Sequence, residues 1–451
     1  MNKRQIVIDT LNHLETKRAP WVPFVGVHAG HLIDATATEM LTDETKIMAG
    51  MEEAIKLFNP DGFPVFFDLQ VEAEILGCEL VWMKEGPPSV KTHPLADVDE
   101  VPCHCNVPSE TDGRLPLIIN VMKQMKEKYG EDIALYGLIC GPFTLASHLR
   151  GNDIFMDMYD DDEYVLALLE YCLKVSEAMV NHYVSAGMDV IAVVDPLVSQ
   201  ISPDHFDEFL SDVYTKLFQY IKDKGAYNSF FVCGNATRNI EEMCKTKPDS
   251  IGIDENVNMA TAKEITDRYN VALGGNIPLT TTMLHGTQQD NMKYVIELLD
   301  TLTNKNLIIS PGCDMPFATP IENTIGAGQA VIETEKCREM IVNYEGANFA
   351  DIEVEIPDYI TLEKPLVEVF TLDSETCAAC TYMMGAANVA KETYGDKIDV
   401  VEYKFTIKEN IARCIKMGVT NLPAIYVNGE LKYSSIIPSK AELENTINEV
   451  L

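Results

Sequence analysis

The stretch Asn228-Ser229-Phe230-Phe231-Val232-Cys233-Gly234 is a short apolar run of strand-forming residues that stops at a cysteine and a glycine. A second run of the same form, Asn306-Leu307-Ile308-Ile309-Ser310-Pro311-Gly312-Cys313, follows about eighty residues later. Brief apolar runs bounded by turn residues read as buried strands. Six more occur, at residues 22–27, 63–67, 134–140, 190–194, 250–253 and 271–273. Helical text fills the gaps; residues 161–183, for example, carry Val165, Leu166, Leu168, Leu169, Cys172 and Leu173 on one broad stripe. Eight strands alternating with amphipathic helices predict a (β/α)8 TIM barrel over residues 1–345.

Such barrels carry their sites at the carboxyl ends of the strands. The residues there are His28 with His31, Asp68, Gly141-Pro142, Asp195-Pro196, Cys233-Gly234, Asp254-Glu255, Gly274-Gly275-Asn276 and Gly312-Cys313-Asp314. Glycine and proline have a sufficient explanation as turn residues. The acids, histidines and cysteines do not. Cys233 and Cys313 read either as metal thiolates or as two reduced thiols converging on one pocket. Strand alternation puts Phe231 on the face of Cys233. Cys103-His104-Cys105 has the look of a metal tripod, but neighbouring side chains in an extended segment alternate direction, so it reads as structural.

Composition narrows the function classes. The chain has 451 residues, 46% of them apolar, enough for two or three packed domains. A net charge of −35 argues against nucleic acid, anionic membranes and highly anionic ligands. No run approaches the roughly 20 apolar residues of a membrane span, and the N-terminal segment does not read as a signal peptide. A cytoplasmic protein is expected. Twelve irregularly spaced cysteines then read as reduced thiols, some of them ligands or redox-active, rather than as a disulfide framework. No Walker loop, dinucleotide-binding glycine motif, His-Glu-x-x-His or corrinoid-carrier signature is present. Oligomeric state is left open, a homo-oligomer included.

Residues 346–363, with Gly346, Pro357 and several acids, interrupt the periodicity and read as a linker to a second domain at 364–451. That domain runs strand, Cys377-Ala378-Ala379-Cys380, helix, strand, helix, Leu422-Pro423, hairpin and helix. A CxxC at a strand-to-helix junction places its first sulfur at a helix N-terminus, which favours thiolate. Cys377 is thus the attacking thiol and Cys380 the resolving one. The order resembles the thioredoxin family, although Ala-Ala replaces that family's usual Gly-Pro. The resemblance implies that Pro423 is a cis-proline facing the cysteine pair.

The barrel resembles the uroporphyrinogen decarboxylase superfamily, and within it the cobalamin-dependent methyltransferase branch. The matching stretches are 67–74 with Leu76-Gly77-Cys78, Gly141-Pro142-Phe143-Thr144-Leu145-Ala146, Asp195-Pro196, Val232-Cys233-Gly234-Asn235 and Ser310-Pro311-Gly312-Cys313. In that branch, members that methylate thiols bind zinc through a His-x-Cys motif and a later Cys. The resemblance makes Cys233 and Cys313 metal ligands, but Phe231 stands at the histidine position. A replacement ligand would come from His28, His31, Asp195, Asp254 or Glu255.

The decarboxylase branch instead has two arginines at the first strand end, which hold a tetrapyrrole's carboxylates. Here His28 and His31 stand in their place. Asp68 matches that branch's catalytic aspartate.

The reading is corrinoid-dependent methyl transfer to a small thiol or related acceptor, with zinc at the site and the corrinoid supplied in trans on another protein. Asp68 and Asp195 are assigned to catalysis, together with the redox pair Cys377 and Cys380. His28, His31, Asp254, Glu255, Asn276 and Pro423 are assigned to substrate. The alternatives are a thiol–disulfide oxidoreductase whose barrel only binds a corrinoid or thiol, and a uroporphyrinogen-type decarboxylase.

Overall fold

A computed structural model describes residues 2–346, 348–375 and 377–451. The chain divides into two compact units with the boundary after Gly346.

The first unit contains β1 (Gly62–Pro64), a small antiparallel pair β2 (Leu80–Val81) and β3 (Ser89–Val90), then β4 (Ala134–Cys140), β5 (Val190–Val194), β6 (Tyr227–Val232), β7 (Ser250–Ile253), β8 (Ala272–Ile277) and β9 (Leu307–Pro311). Among the described residues, β1 and β4 to β9 form one seven-stranded parallel sheet in sequence order, with helices between successive strands. Strands β4, β5 and β7 coincide with the runs read from sequence. They are buried along their whole length, so continuous Val, Ile and Leu text is their natural signature.

The sheet curls. Ile309 of β9 donates to the Pro20 carbonyl at 2.9 Å and accepts from the Val22 N–H at 3.0 Å, while Asp61, just before β1, donates to the Trp21 carbonyl at 2.9 Å. Residues 20–22 therefore stand between the first and last strands, as the eighth stave of a TIM-like barrel. Arg18 pins this stave through an ion pair to buried Asp61 at 2.6 Å, and Asp61 also accepts from the Trp21 N–H.

Two strand expectations need correction. Run 22–27 is not a strand beyond the bridge at Trp21, because Phe24 and Gly26 bond to Met315 and Asp314 in the loop after β9 instead of to a neighbouring strand. Run 63–67 is cut short at Pro64, since Phe66 has a left-handed backbone (φ 68°) that extended structure cannot continue.

Inside the barrel, Phe24, Phe67, Tyr136, Leu138, Ala192, Val194, Phe231 and Ile308 pack into one apolar cluster, and Cys313 rests against it. This cluster is the floor of the candidate site.

The second unit has a four-stranded sheet, β10 (Leu366–Thr371), β11 (Asp399–Lys404), β12 (Ala424–Val427) and β13 (Glu430–Ser434), in the order β11-β10-β12-β13. The β10/β11 pair is parallel and the other two are antiparallel. Helices Ala378–Tyr394 and Lys440–Asn448 cover an apolar face made by Val367, Val369, Ile425 and Val427.

The expected linker is also corrected. Arg413 donates to the Glu355 carbonyl at 2.6 Å, Lys416 to the Val354 carbonyl at 3.2 Å and the Tyr359 hydroxyl to Glu368 at 2.8 Å, so much of residues 346–363 is tied to the second unit. These tethers come from residues up to 62 positions away, which a break in periodicity cannot show.

Candidate functional site

The ends of β6 and β9 bring Cys233 and Cys313 together. Their Cα atoms lie 6.0 Å apart and their sulfurs are joined as a disulfide. Strands β7 and β8 separate β6 from β9 in the sheet, so the pair spans the curved mouth instead of stapling neighbours. Cys103 and Cys105 are likewise joined, and eight cysteines are free among the described residues. The expectation is of reduced thiols, some of them ligands or redox-active, and these two joined pairs depart from it. Both pairings follow from proximity, two residues apart in one case and two strand ends in the other.

Acids flank the sulfur pair. The Asp254 carboxylate accepts from the Gly234 N–H, next to Cys233, and from Asn256. Glu255 lies against Gly312, next to Cys313: a Cβ on Gly312 would sit 2.9 Å from the Glu255 amide nitrogen and 3.3 Å from its Oε2. Glu255 Oε2 also accepts from the Leu279 N–H at 2.8 Å. Burial and the neighbouring Asp254 carboxylate push the Glu255 carboxyl up to about 8. Part of this side chain still reaches solvent.

Asp314 follows Cys313 and accepts from the Gly26 N–H at 2.7 Å; burial pushes it up to about 8 as well. Gly26 must be glycine here, since a Cβ would fall 2.4 Å from the Asp314 carboxylate.

His28 is fully buried near the same strand ends. Its Nδ1 lies 2.9 Å from the Phe317 carbonyl, which makes Nδ1 the protonated nitrogen and leaves Nε2 a lone-pair acceptor with no hydrogen-bond partner. Burial lowers its pKa to about 4, so the ring is neutral near pH 7. His31 is exposed, with its ring edge toward Phe317.

Other assigned residues have tasks that the sequence did not disclose. Asp195 is a correction. Its carboxylate accepts from the Phe143 and Thr144 N–H groups at the start of helix Pro142–Arg150, from the Thr144 hydroxyl at 2.6 Å and from the Tyr214 hydroxyl. Every lone-pair direction is taken, and the group anchors a helix instead of facing substrate. Desolvation raises it to about 6 despite these donors. Asn276 is corrected for the same reason: its amide donates to the Asp254 and Val257 carbonyls and its oxygen accepts from the Tyr294 hydroxyl.

Asp68 is buried and ion-paired to Arg114 at 2.7 Å; Arg114 also binds Glu74 at 2.7 Å and lies over the Trp82 ring. Asp68 is thus held against Arg114 and braces the wall. Arg114 had no motif to announce it, and Glu72, inside the matching stretch 67–74, had no assigned role. Glu72 accepts from the Cys140 N–H at 3.0 Å, and its burial pushes it up to about 8.

The metal reading can be tested on the donor set. Phe231 is buried and packs on Phe24 at 4.7 Å between ring centroids, filling the face below the cysteines. Among the described residues no three His, Cys, Asp or Glu side chains converge as ligands. A catalytic zinc centre needs three protein ligands. These residues do not fit one.

In the second unit Cys377 caps helix Ala378–Tyr394, with its sulfur 3.4 Å from the Cys380 N–H. Cys380 is buried, its sulfur accepts from the Leu372 N–H at 3.3 Å, and burial holds its thiol well above the usual range. The Leu422–Pro423 peptide is cis. The β10/β12 register ends with Phe370 opposite Ala424, the residue that follows Pro423. Among the described residues no helix is long and apolar enough to cross a membrane.

Comparisons with known proteins agree with the barrel. The uroporphyrinogen decarboxylase family profile matches residues 2–333. A methylcobamide:CoM methyltransferase of Methanosarcina acetivorans is 28% identical over 291 residues, covering 63% of this chain and 83% of that protein. A uroporphyrinogen decarboxylase of Wolbachia sp. subsp. Brugia malayi is 25% identical over 279 residues, covering 60% and 77%. Among solved structures, a methyltransferase from Methanosarcina mazei superposes with a TM-score of 0.67 at 23% identity, covering 74% of this chain and 99% of that one.

Proposed function

The chain belongs to the uroporphyrinogen decarboxylase family, and from that premise we propose that it transfers a methyl group from a methyl-corrinoid, carried by a separate protein, to a small thiol. The observation that carries this reading is the convergence of Cys233 and Cys313 over an aromatic floor, beside Glu255, in a chain whose relatives include methylcobamide:CoM methyltransferases.

The donor supplies an electrophilic methyl carbon whose bonding electrons remain with its cobalt. The protein's own residues prepare the acceptor. In the reduced state Cys233 and Cys313 flank the acceptor sulfur at the mouth. Glu255, held near 8, is matched to a thiol of pKa about 8.5 and takes its proton. Neutral His28 offers Nε2 to a donor group on the acceptor. Asp68, Arg114 and Asp195 hold the walls. Since the donor set does not fit a three-ligand zinc centre, no step is assigned to zinc.

The decarboxylase reading fares worse. Asp68, Glu72, Asp254, Glu255 and Asp314 crowd the strand ends, Arg114 is engaged by Asp68 and Glu74, and histidines stand where carboxylate-clamping arginines would be needed. An octacarboxylate tetrapyrrole meets repulsion there.

The second unit reads as a thioredoxin-like module. Its sheet order, the cap at Cys377 and buried Cys380 support a dithiol that reduces disulfides. The test is anaerobic incubation of fully reduced protein with methylcobalamin and a panel of small thiols that includes coenzyme M. Thiol-dependent loss of the methylcobalamin absorbance is expected. Carbon dioxide release from a uroporphyrinogen without any methyl transfer would reverse the assignment.

A further inference from the structure

A pair of family-ligand positions with no third ligand is free for other chemistry. We propose that Cys233 and Cys313 form a reversible dithiol–disulfide couple, a second redox centre at the barrel mouth, whose electron donor is a CxxC dithiol of the kind the chain itself carries at Cys377 and Cys380.

Four observations carry this. The Cα separation of 6.0 Å lies within the range that a disulfide bridges without backbone movement. Both cysteines are half-buried, whereas the free cysteines Cys78, Cys140, Cys172, Cys244 and Cys337 of the same unit are buried. Cys233 and Cys313, with the exposed Cys103 and Cys105, are the cysteines of this unit that offer sulfur to an attacking thiolate, and of these only Cys233 and Cys313 lie at the strand ends. Phe231, packed on Phe24, occupies the direction from which a third ligand would hold the sulfurs apart around a metal. The residues next to the cysteines are fixed by Gly312 N–H to the Ile277 carbonyl at 3.0 Å and Gly234 N–H to Asp254, so the two sulfurs stay near each other when the bond opens.

The donor is equally well defined. Cys377 is half-buried at a helix N-terminus and Cys380 is buried behind it, the division of labour that thiol–disulfide exchange needs. The Cys377 thiolate attacks one barrel sulfur. The Cys233–Cys313 bond breaks, and its electron pair leaves on the other barrel cysteine. Cys380 then attacks the Cys377 sulfur, its proton passing to the released barrel thiolates. The CxxC loses two electrons and the barrel pair gains two. An added small dithiol returns the CxxC to its reduced form. The couple makes the mouth redox-gated: joined sulfurs cannot flank an acceptor thiol, and separated ones can.

The full chain is equilibrated anaerobically in glutathione buffers of graded ratio, unfolded into alkylating agent and mapped by mass spectrometry. Cys233 and Cys313 should lose their labels together, with one midpoint, and reappear as a linked peptide. Labels that persist in the most oxidising buffer, or that vanish at separate midpoints, would overturn the couple, as would one retained zinc per chain lost in both Cys233→Ser and Cys313→Ser. Cys380→Ser, checked for folding by circular dichroism, should trap Cys377 in a mixed disulfide with Cys233 or Cys313, within one chain or between two copies; trapping only elsewhere contradicts the proposed donor. These readouts do not depend on methyl transfer. Failure of the reduced chain to transfer methyl while the couple titrates normally would count against the proposed function alone.

Discussion

The two cysteine pairs are built in opposite ways. Cys377 and Cys380 are three residues apart, and one helix N-terminus places both, capping with the first and burying the second. Cys233 and Cys313 are eighty residues apart and meet only because four strands, β6 to β9, and the loops after them hold a curved wall. A local pair needs only its turn and helix. A distant pair depends on every polar anchor that fixes the wall.

The largest expected effect therefore falls on a wall anchor. Asp195→Ala strips the acceptor from two backbone N–H groups and two hydroxyls, all buried, and should cost about 3 kcal/mol or more by urea denaturation. A cost below about 1 kcal/mol would mean that the wall does not hang on its anchors, and the contrast would fail.

Next comes chemistry at the pair. Cys233→Ser or Cys313→Ser should lower methyl transfer by fully reduced protein at least about tenfold, roughly 1.4 kcal/mol of transition-state stabilisation. Cys377→Ser should stop turnover only when no chemical dithiol is supplied, and added dithiol should restore it. Equal losses in the two pairs under full reduction would erase the distinction.

Glu255→Gln tests the acid beside Cys313 through pH. A carboxyl raised from an ordinary 4.5 to about 8 binds its proton more tightly when folded, so wild-type stability should decline as pH rises through that interval. The glutamine variant should decline less steeply than wild type, because Glu72 and Asp314, raised likewise, still contribute; partial solvent contact keeps the Glu255 share small. Methyl transfer should rise toward pH 8 in wild type as Glu255 ionises, and the variant should lose that limb. Unchanged profiles would remove Glu255 from the mechanism.

The smallest effect belongs to a local device in the second unit. Ser439 caps helix Lys440–Asn448 in a capping box with Glu442, and Ser439→Ala should cost about 1 kcal/mol. A larger loss than that of Asp195→Ala would invert the comparison.

The same contrast explains what could be read in advance. Strands at 134–140, 190–194 and 250–253 were legible because burial on both faces writes uninterrupted apolar text. The CxxC, the helix behind it and the proline before β12 were legible because each is a local signal. The eighth stave was misplaced by several residues, since what defines it is hydrogen bonding of residues 20–22 to Ile309 and Asp61. Asp195 carried the look of a catalytic acid, yet nothing in Asp195-Pro196 reveals Thr144 or Tyr214 waiting to donate to it. Arg114 escaped notice because its partners, Asp68 and Glu74, lie some forty residues upstream. Phe231 is legible in the sequence as a departure from the branch's histidine, and Phe24, packed against it, is what the sequence does not show.

The most direct test of methyl transfer at this mouth is a single turnover with methylcobalamin bearing a CD3 group, fully reduced protein and a small thiol acceptor such as coenzyme M, analysed by mass spectrometry. The proposed function predicts CD3 on the acceptor sulfur, with the yield falling when the Cys233–Cys313 pair is first oxidised. Label that stays on the corrinoid, with the protein folded and both cysteines shown to be free, would contradict it.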